Sequence, residues 1–203
     1  MDLSTLQACR VLPVVTANDV QTTVRLARAL QLGGMRAIEI TLRTQAALES
    51  IRAVRAALPD MLVAAGTVTE GAQIDGALAA GATLLISPGA TPDLLRVAAA
   101  SGADFIPGVA TASELMQGLA HGFTLFKLFP AEAVGGRTLL KSLAGPFPQA
   151  RFCPTGGLDR SNFREYLSLG NVVCCGGSWM VAAELVENGK WDDIAALARE
   201  AMA

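Results

Sequence analysis

Short apolar runs rich in β-branched residues alternate along the chain with longer stretches whose apolar positions recur at helical spacing. The runs are VLPVVT from Val11, AIEIT from Ala37, MLVAAG from Met61, TLLISP from Thr83, DFIPGV from Asp104, LFKLFP from Leu125, RFCPTG from Arg151 and VVCCGG from Val172. They form eight candidate strands about 20–26 residues apart, a repeat that accommodates one strand and one helix. Between them lie segments such as those starting at Thr22, Thr44 and Thr91, several of which stop at glycine. Strands apolar on both faces and separated by helices indicate a parallel sheet covered on its outside. Eight regular units, with no GxGxxG after the first, favour an α/β fold of the closed (β/α)8 TIM-barrel type over an open doubly wound sheet.

Composition agrees with a large core: hydrophobic residues make up 52% of the 203 residues and charged residues 17%. That much apolar side chain collapses rather than staying solvated. The length suits one domain, and no linker or low-complexity segment divides it, so residues 1–203 are expected to form a single barrel domain. A net charge of −2 and the absence of any Lys/Arg run argue against nucleic acid as a partner. Charged residues interrupt every apolar segment before the roughly 20 residues that a membrane-spanning helix needs, so no membrane association is expected. The acid at Asp2, with no basic region ahead of the first apolar run, does not read as a secretory signal. Cys9, Cys153, Cys174 and Cys175 have no metal-binding spacing and read as small buried hydrophobes of a protein in a reducing cytoplasm.

In a barrel of this kind the site lies at the C-terminal ends of the strands, so polar groups there carry the information. Alternation along Ile38-Glu39-Ile40-Thr41-Leu42-Arg43 puts Glu39, Thr41 and Arg43 on one side. Either Glu39 and Arg43 form an internal ion pair, or the interior carries a carboxylate and a guanidinium for chemistry. Lys127 stands out more sharply, flanked by Leu125, Phe126, Leu128 and Phe129; the other two lysines, Lys141 and Lys190, fall in helical or loop contexts. An amine buried in a strand is either paired with a carboxylate such as Glu132 or available, once neutral, as a nucleophile towards carbonyls. The last two runs end in Gly156-Gly157 and Gly176-Gly177-Ser178. Such glycines serve turns, or let backbone N–H groups close on a phosphate. The sole histidine, His121, sits near a helix end as a cap or surface residue, and no cluster of ligands suggests a metal.

Together these segments resemble the 2-keto-3-deoxy-6-phosphogluconate aldolase/4-hydroxy-2-oxoglutarate aldolase family. The matching motifs are IEITLRT (38–44), AAGTVTE (64–70), ISPGAT (86–91), KLFPAEAVGG (127–136), RFCPTGG (151–157) and CGGSWMV (175–181), in order over nearly the whole chain. The resemblance implies a trimeric barrel with class I chemistry, acting on a phosphorylated keto acid and on pyruvate without a metal or other cofactor. It implies Lys127 as the Schiff-base lysine, Glu39 as the acid/base carboxylate and Arg43 as the clamp on the keto acid's carboxylate. Thr67, Pro88 and Phe129 would line the pocket, Thr155 would lie near the substrate hydroxyls, and Gly156, Gly157, Gly176, Gly177 and Ser178 would cradle the phosphate. The TLRT stretch favours the gluconate-type substrate over its galactonate epimer, whose enzymes carry Pro at position 41 and no Arg at 43. The segment ahead of Val11 is short beside the family's usual N-terminal helix, and Thr16 stands where some relatives carry Arg. Two rival readings remain at this level: a phosphosugar isomerase or epimerase using Glu39 as base, and a non-catalytic sugar-phosphate-binding barrel.

Overall fold

The computed structural model describes residues 4–203. Asp2, whose charge argues against a secretory signal, lies outside the described residues. Nine strands are present among them: β1 (Val11–Thr16), β2 (Ala37–Thr41), β3 (Leu62–Gly66), β4 (Leu84–Ile86), β5 (Phe105–Ile106), β6 (Gly108–Val109), β7 (Leu125–Leu128), β8 (Arg151–Pro154) and β9 (Cys175–Gly177). The α-helices are α1 (Ser4–Cys9), α2 (Val20–Leu32), α3 (Ala47–Ala57), α4 (Ala72–Ala79), α5 (Pro92–Ser101), α6 (Ala112–Ala120), α7 (Gly136–Ala144), α8 (Phe163–Leu167), α9 (Ala183–Glu187) and α10 (Trp191–Met202). None is long and apolar enough to cross a membrane.

Local sequence explains where the helices start and stop. The Asp19 side chain accepts from Thr22 N at 2.8 Å to cap α2, and Thr91 caps α5 ahead of Pro92. Gly102, at φ +67°, ends α5 in the left-handed conformation that glycine adopts without a steric penalty. Thr111 and Glu114 form a reciprocal capping box on α6, and His121 closes that helix with Nδ1 2.9 Å from Gln117 O.

Every strand pairing is parallel, and the sheet curls with helices on its outer face. The ladders differ from the uninterrupted ring of eight strands expected from the sequence. One ladder has the order β5-β4-β3-β2-β1-β9 and the other β6-β7-β8. The fifth run is split into β5 and β6 at Pro107, which has no N–H to continue a ladder. Between β8 and β9 only single bridges occur, Phe152 with Val172 and Thr155 with Gly176.

Alternation sorts the side chains into two cores. Ile38, Ile40, Val63, Ala65, Phe126, Leu128 and Phe152 pack outward against the helices. Leu12, Ala37, Ala64, Leu84, Ile86, Ile106, Leu125 and Cys153 form a separate inner cluster, joined by Leu6 and Cys9 of α1. Burying a Leu or Ile side chain of this kind contributes about 1.5–3 kcal/mol. The short leading segment therefore still forms a helix, and that helix plugs the end of the curled sheet where the strands begin.

Candidate active site

The inward register of β2 carries Ala37, Glu39 and Thr41; that of β7 carries Leu125 and Lys127. All of these residues are buried. Glu39 and Lys127 lie 88 residues apart in sequence, yet Lys127 Nζ approaches Glu39 Oε1 at 3.0 Å and Oε2 at 3.4 Å. Lys127 is 5% exposed and Glu39 1%. Taking two charges out of water is costly, so a pair placed here needs a reason beyond stability. The lysine's partner is thus Glu39 rather than Glu132, whose carboxylate accepts instead from the Tyr166 hydroxyl.

Arg43 does not pair with Glu39 either. Its Nε donates to Thr41 Oγ1 at 3.1 Å, while the Thr41 hydroxyl donates to Val15 O at 3.0 Å. This relay fixes the root of the guanidinium on β1 and leaves its terminal nitrogens facing the mouth. A cavity of about 420 Å³ opens there, lined by Arg43, Phe129 and Thr155 and by both glycine turns, Gly156-Gly157 and Gly176-Gly177-Ser178. Lys127 and Glu39 lie just behind its inner wall, where the Phe129 ring centre is 5.5 Å from Nζ. Thr67 and Pro88 follow β3 and β4 and are not part of that wall. Thr67 is held at φ +60°, a conformation that costs a β-branched residue about 1–3 kcal/mol.

The thiols stay apart from the cavity. Cys153 lies in register with Lys127 on the neighbouring strand, and all four cysteines are free and buried. A hydrogen bond from Cys174, helped by the charge of Lys127, holds the Cys153 thiol below its ordinary range despite burial. The Cys174 thiol is pushed up by the same hydrogen bond and by burial.

Known proteins can be set beside this geometry. The family profile for KDPG and KHG aldolase matches residues 3–197. The chain belongs to the KDPG and KHG aldolase family. It is 50% identical over 193 residues to the 2-dehydro-3-deoxy-phosphogluconate aldolase of Pseudoalteromonas atlantica, covering 95% of this chain and 90% of that protein. It is 47% identical over 192 residues to the KHG/KDPG aldolase of Escherichia coli K12, with the same two coverages of 95% and 90%. Among solved structures, the KDPG aldolase of Legionella pneumophila superposes with a TM-score of 0.94 at 44% identity, over 97% of this chain and 96% of that one. That protein was captured with pyruvate as a covalent carbinolamine intermediate.

Three polar residues on the cavity wall of this aldolase are not site candidates in the sequence reading: Thr16, Asn18 and Glu187. Thr16 and Asn18 end and follow β1, so the strand-end rule applied to the first run would have found them. Glu187 ends the five-residue helix α9, and no sequence signal marks it. Among the described residues, Arg43 is the one cationic side chain on the cavity wall.

Gly66 ends β3 directly against the catalytic candidates. A Cβ there would collide with Glu39, with Cγ only 2.6 Å away. In this aldolase the Gly66→Ala variant is expected to fold but to displace the carboxylate, lowering kcat about 10²-fold, the cost of a misplacement near 1 Å. Steady-state cleavage rates at unchanged secondary structure by circular dichroism check this; a kcat equal to wild type would show that the Glu39 position is not critical.

Proposed function

We propose that the chain is a class I aldolase that cleaves 2-keto-3-deoxy-6-phosphogluconate to pyruvate and glyceraldehyde 3-phosphate, and 4-hydroxy-2-oxoglutarate to pyruvate and glyoxylate. The observation that carries this reading is the buried approach of Lys127 Nζ to Glu39 at 3.0 Å, beside a cavity with an arginine on one wall and two glycine turns on another. The amine is the nucleophile, and the carboxylate is placed to take its proton. Neither group is needed for binding alone, and a simple isomerase needs no amine at that point.

The steps follow from these groups. Lys127 Nζ attacks the C2 ketone, and Glu39 receives the proton that the nitrogen sheds. Within the adduct a second proton passes from nitrogen to the former ketone oxygen to give the carbinolamine, and the first, returned from Glu39 to that hydroxyl, lets water leave as the iminium forms. The C3–C4 bond then breaks, its electrons flowing into the iminium to give an enamine, as the C4 hydroxyl gives its proton to the Glu39 carboxylate and becomes the aldehyde. Protonation of the enamine at C3 and hydrolysis release pyruvate and restore the amine. Arg43, braced by Thr41, holds the substrate carboxylate so that C2 faces Nζ. Gly156, Gly157, Gly176, Gly177 and Ser178 receive the phosphate, and that remote binding energy can be used at the reacting carbon. Phe129 and Thr155 shape the space between, and Thr67 and Pro88 stand just past the ends of β3 and β4, outside the cavity wall. The Thr41-Arg43 arrangement supports the gluconate-type substrate.

The same proposal takes residues 1–203 as one domain whose strands close into a (β/α)8 barrel. Lys127 N on β7 donates at 2.9 Å to the carbonyl of Pro107, the residue that joins β5 to β6, and the single bridges from β8 to the last strand support closure on the other side. A homotrimer in the cytoplasm fits the apolar composition and the four free thiols; sedimentation at any other multiple of the chain mass would exclude the trimer. The central experiment is borohydride reduction in the presence of pyruvate, followed by peptide mass mapping. A reduced pyruvyl adduct on the peptide containing Lys127 is the expected result. Folded protein that binds a sugar phosphate but yields no adduct would return the isomerase or binding-barrel reading.

A further inference from the structure

The phosphate-side turn rests on a strut that the mechanism above does not use. Glu132, in the loop between β7 and α7, touches the Gly156-Gly157 turn twice. Its N–H donates to Gly156 O at 3.1 Å, and its side chain lies under Gly157 so closely that an added Cβ would come within 2.6 Å of Glu132 Cβ and 2.7 Å of Cγ. Gly157 is at φ +81°, so both backbone conformation and space reserve this position for glycine. The far end of the Glu132 side chain accepts a hydrogen bond from the Tyr166 hydroxyl on α8. Tyr166 is fully buried and packs in the outer core beside Phe163 and Leu140. The phenol also fills the space over Gly136, where a Cβ would stand 2.5 Å from its oxygen. One carboxylate thus ties together the loop after β7, the turn after β8 and the helix that follows it.

A core tyrosine needs some partner for its hydroxyl, and any acceptor would satisfy it. Here the acceptor is half of a side chain whose other half supports the turn, on a residue that is otherwise exposed to solvent. A surface carboxylate left in water would rotate freely. Hydrogen-bonded to a buried phenol, it is held in one orientation, and the turn is held with it. Burial, and then Glu132, push the Tyr166 phenol well above its ordinary range, so this hydroxyl remains a donor throughout the working pH range.

We infer that Glu132 and Tyr166 are positioning residues that preset the Gly156-Gly157 turn for the phosphate end of the substrate and so set the preference for phosphorylated over unphosphorylated keto acids. The inference rests on the reading of that turn as part of the phosphate cradle. Because the pyruvyl half of both substrates binds elsewhere, loss of the strut acts on one substrate and spares the other.

Tyr166→Phe and Glu132→Ala, singly and together, are compared with wild type on 2-keto-3-deoxy-6-phosphogluconate and on 4-hydroxy-2-oxoglutarate, with Ser178→Ala as the control for the cradle. Loss of a hydrogen bond to a charged group predicts about a tenfold rise in KM for the phosphorylated substrate, with kcat and the KM for 4-hydroxy-2-oxoglutarate unchanged. The double variant should lose no more than the worse single one, because both break the same link. Equal losses on both substrates would overturn the inference in favour of a general structural role. An unchanged KM in Tyr166→Phe, alongside a raised one in Ser178→Ala, would overturn the strut and leave the cradle standing. If Ser178→Ala leaves the phosphorylated KM unchanged, the cradle reading itself fails and the strut falls with it.

Discussion

Lys127→Arg is expected to abolish cleavage, by at least about 10³-fold in kcat, although the positive charge and an ion pair with Glu39 are both retained. Guanidinium does not deprotonate at working pH, so it cannot supply the lone pair that attacks a ketone. If Lys127 served only to polarise a carbonyl or hold an anion, arginine would replace it with a modest loss. The two accounts therefore separate cleanly on one variant. Borohydride with pyruvate should label wild type on the Lys127 peptide and leave the variant unlabelled, while circular dichroism shows the fold intact. Cleavage near the wild-type rate would remove the Schiff base from the mechanism.

Glu39→Gln is the second large effect, and it divides the reaction differently. Glutamine keeps the shape that Gly66 accommodates but cannot carry a proton between the nitrogen and the departing water. Loss of a positioned acid/base group predicts a fall in kcat of about 10²–10⁴-fold. Slow formation of the pyruvate adduct should persist, because the amine is still present. The variant also leaves the buried Lys127 facing a neutral amide. Removing one partner of a buried pair costs up to about 3–5 kcal/mol, so the melting temperature should drop and the assays belong well below it. Rapid trapping with cleavage lost would assign Glu39 to the carbon–carbon step; loss of both would assign it to imine formation as well. Undiminished cleavage would exclude it from either.

How much of this was legible in the sequence depends on the distance over which each feature is decided. The eight apolar runs mark the strands because burial on both faces leaves a local compositional trace. Lys127 and Glu39 are conspicuous for the same reason, as polar groups in segments that otherwise admit none. Their partnership is not legible: 88 residues separate them, and Glu132, five positions from Lys127, is the nearer candidate along the chain. The alternation that puts Arg43 on the side of Glu39 holds, but Thr41 between them intercepts the guanidinium. Pro107 splits its strand because a missing N–H matters only once a neighbour arrives to accept the bond. Thr67 is the plainest failure of local rules, since a β-branched residue after a strand predicts extended backbone and the chain turns left-handed there. The curled sheet brings Lys127 to Glu39 and puts Arg43, Phe129 and Thr155 on one cavity wall, while Thr67 and Pro88, which the resemblance groups with them, stay off it.

The helix α1 that stoppers the base of the sheet has a kinetic consequence. Leu6 and Cys9 join the inner cluster at the end where the strands begin, so in the proposed closed barrel everything that reaches Lys127 passes the mouth beside Arg43. In the proposed mechanism pyruvate, tethered to Lys127, cannot depart until water has come in to free it, and the aldehyde stands between that water and the bond it must cut. Release is then obligatorily ordered, aldehyde first and pyruvate last, so pyruvate should inhibit competitively against substrate and the aldehyde phosphate should not.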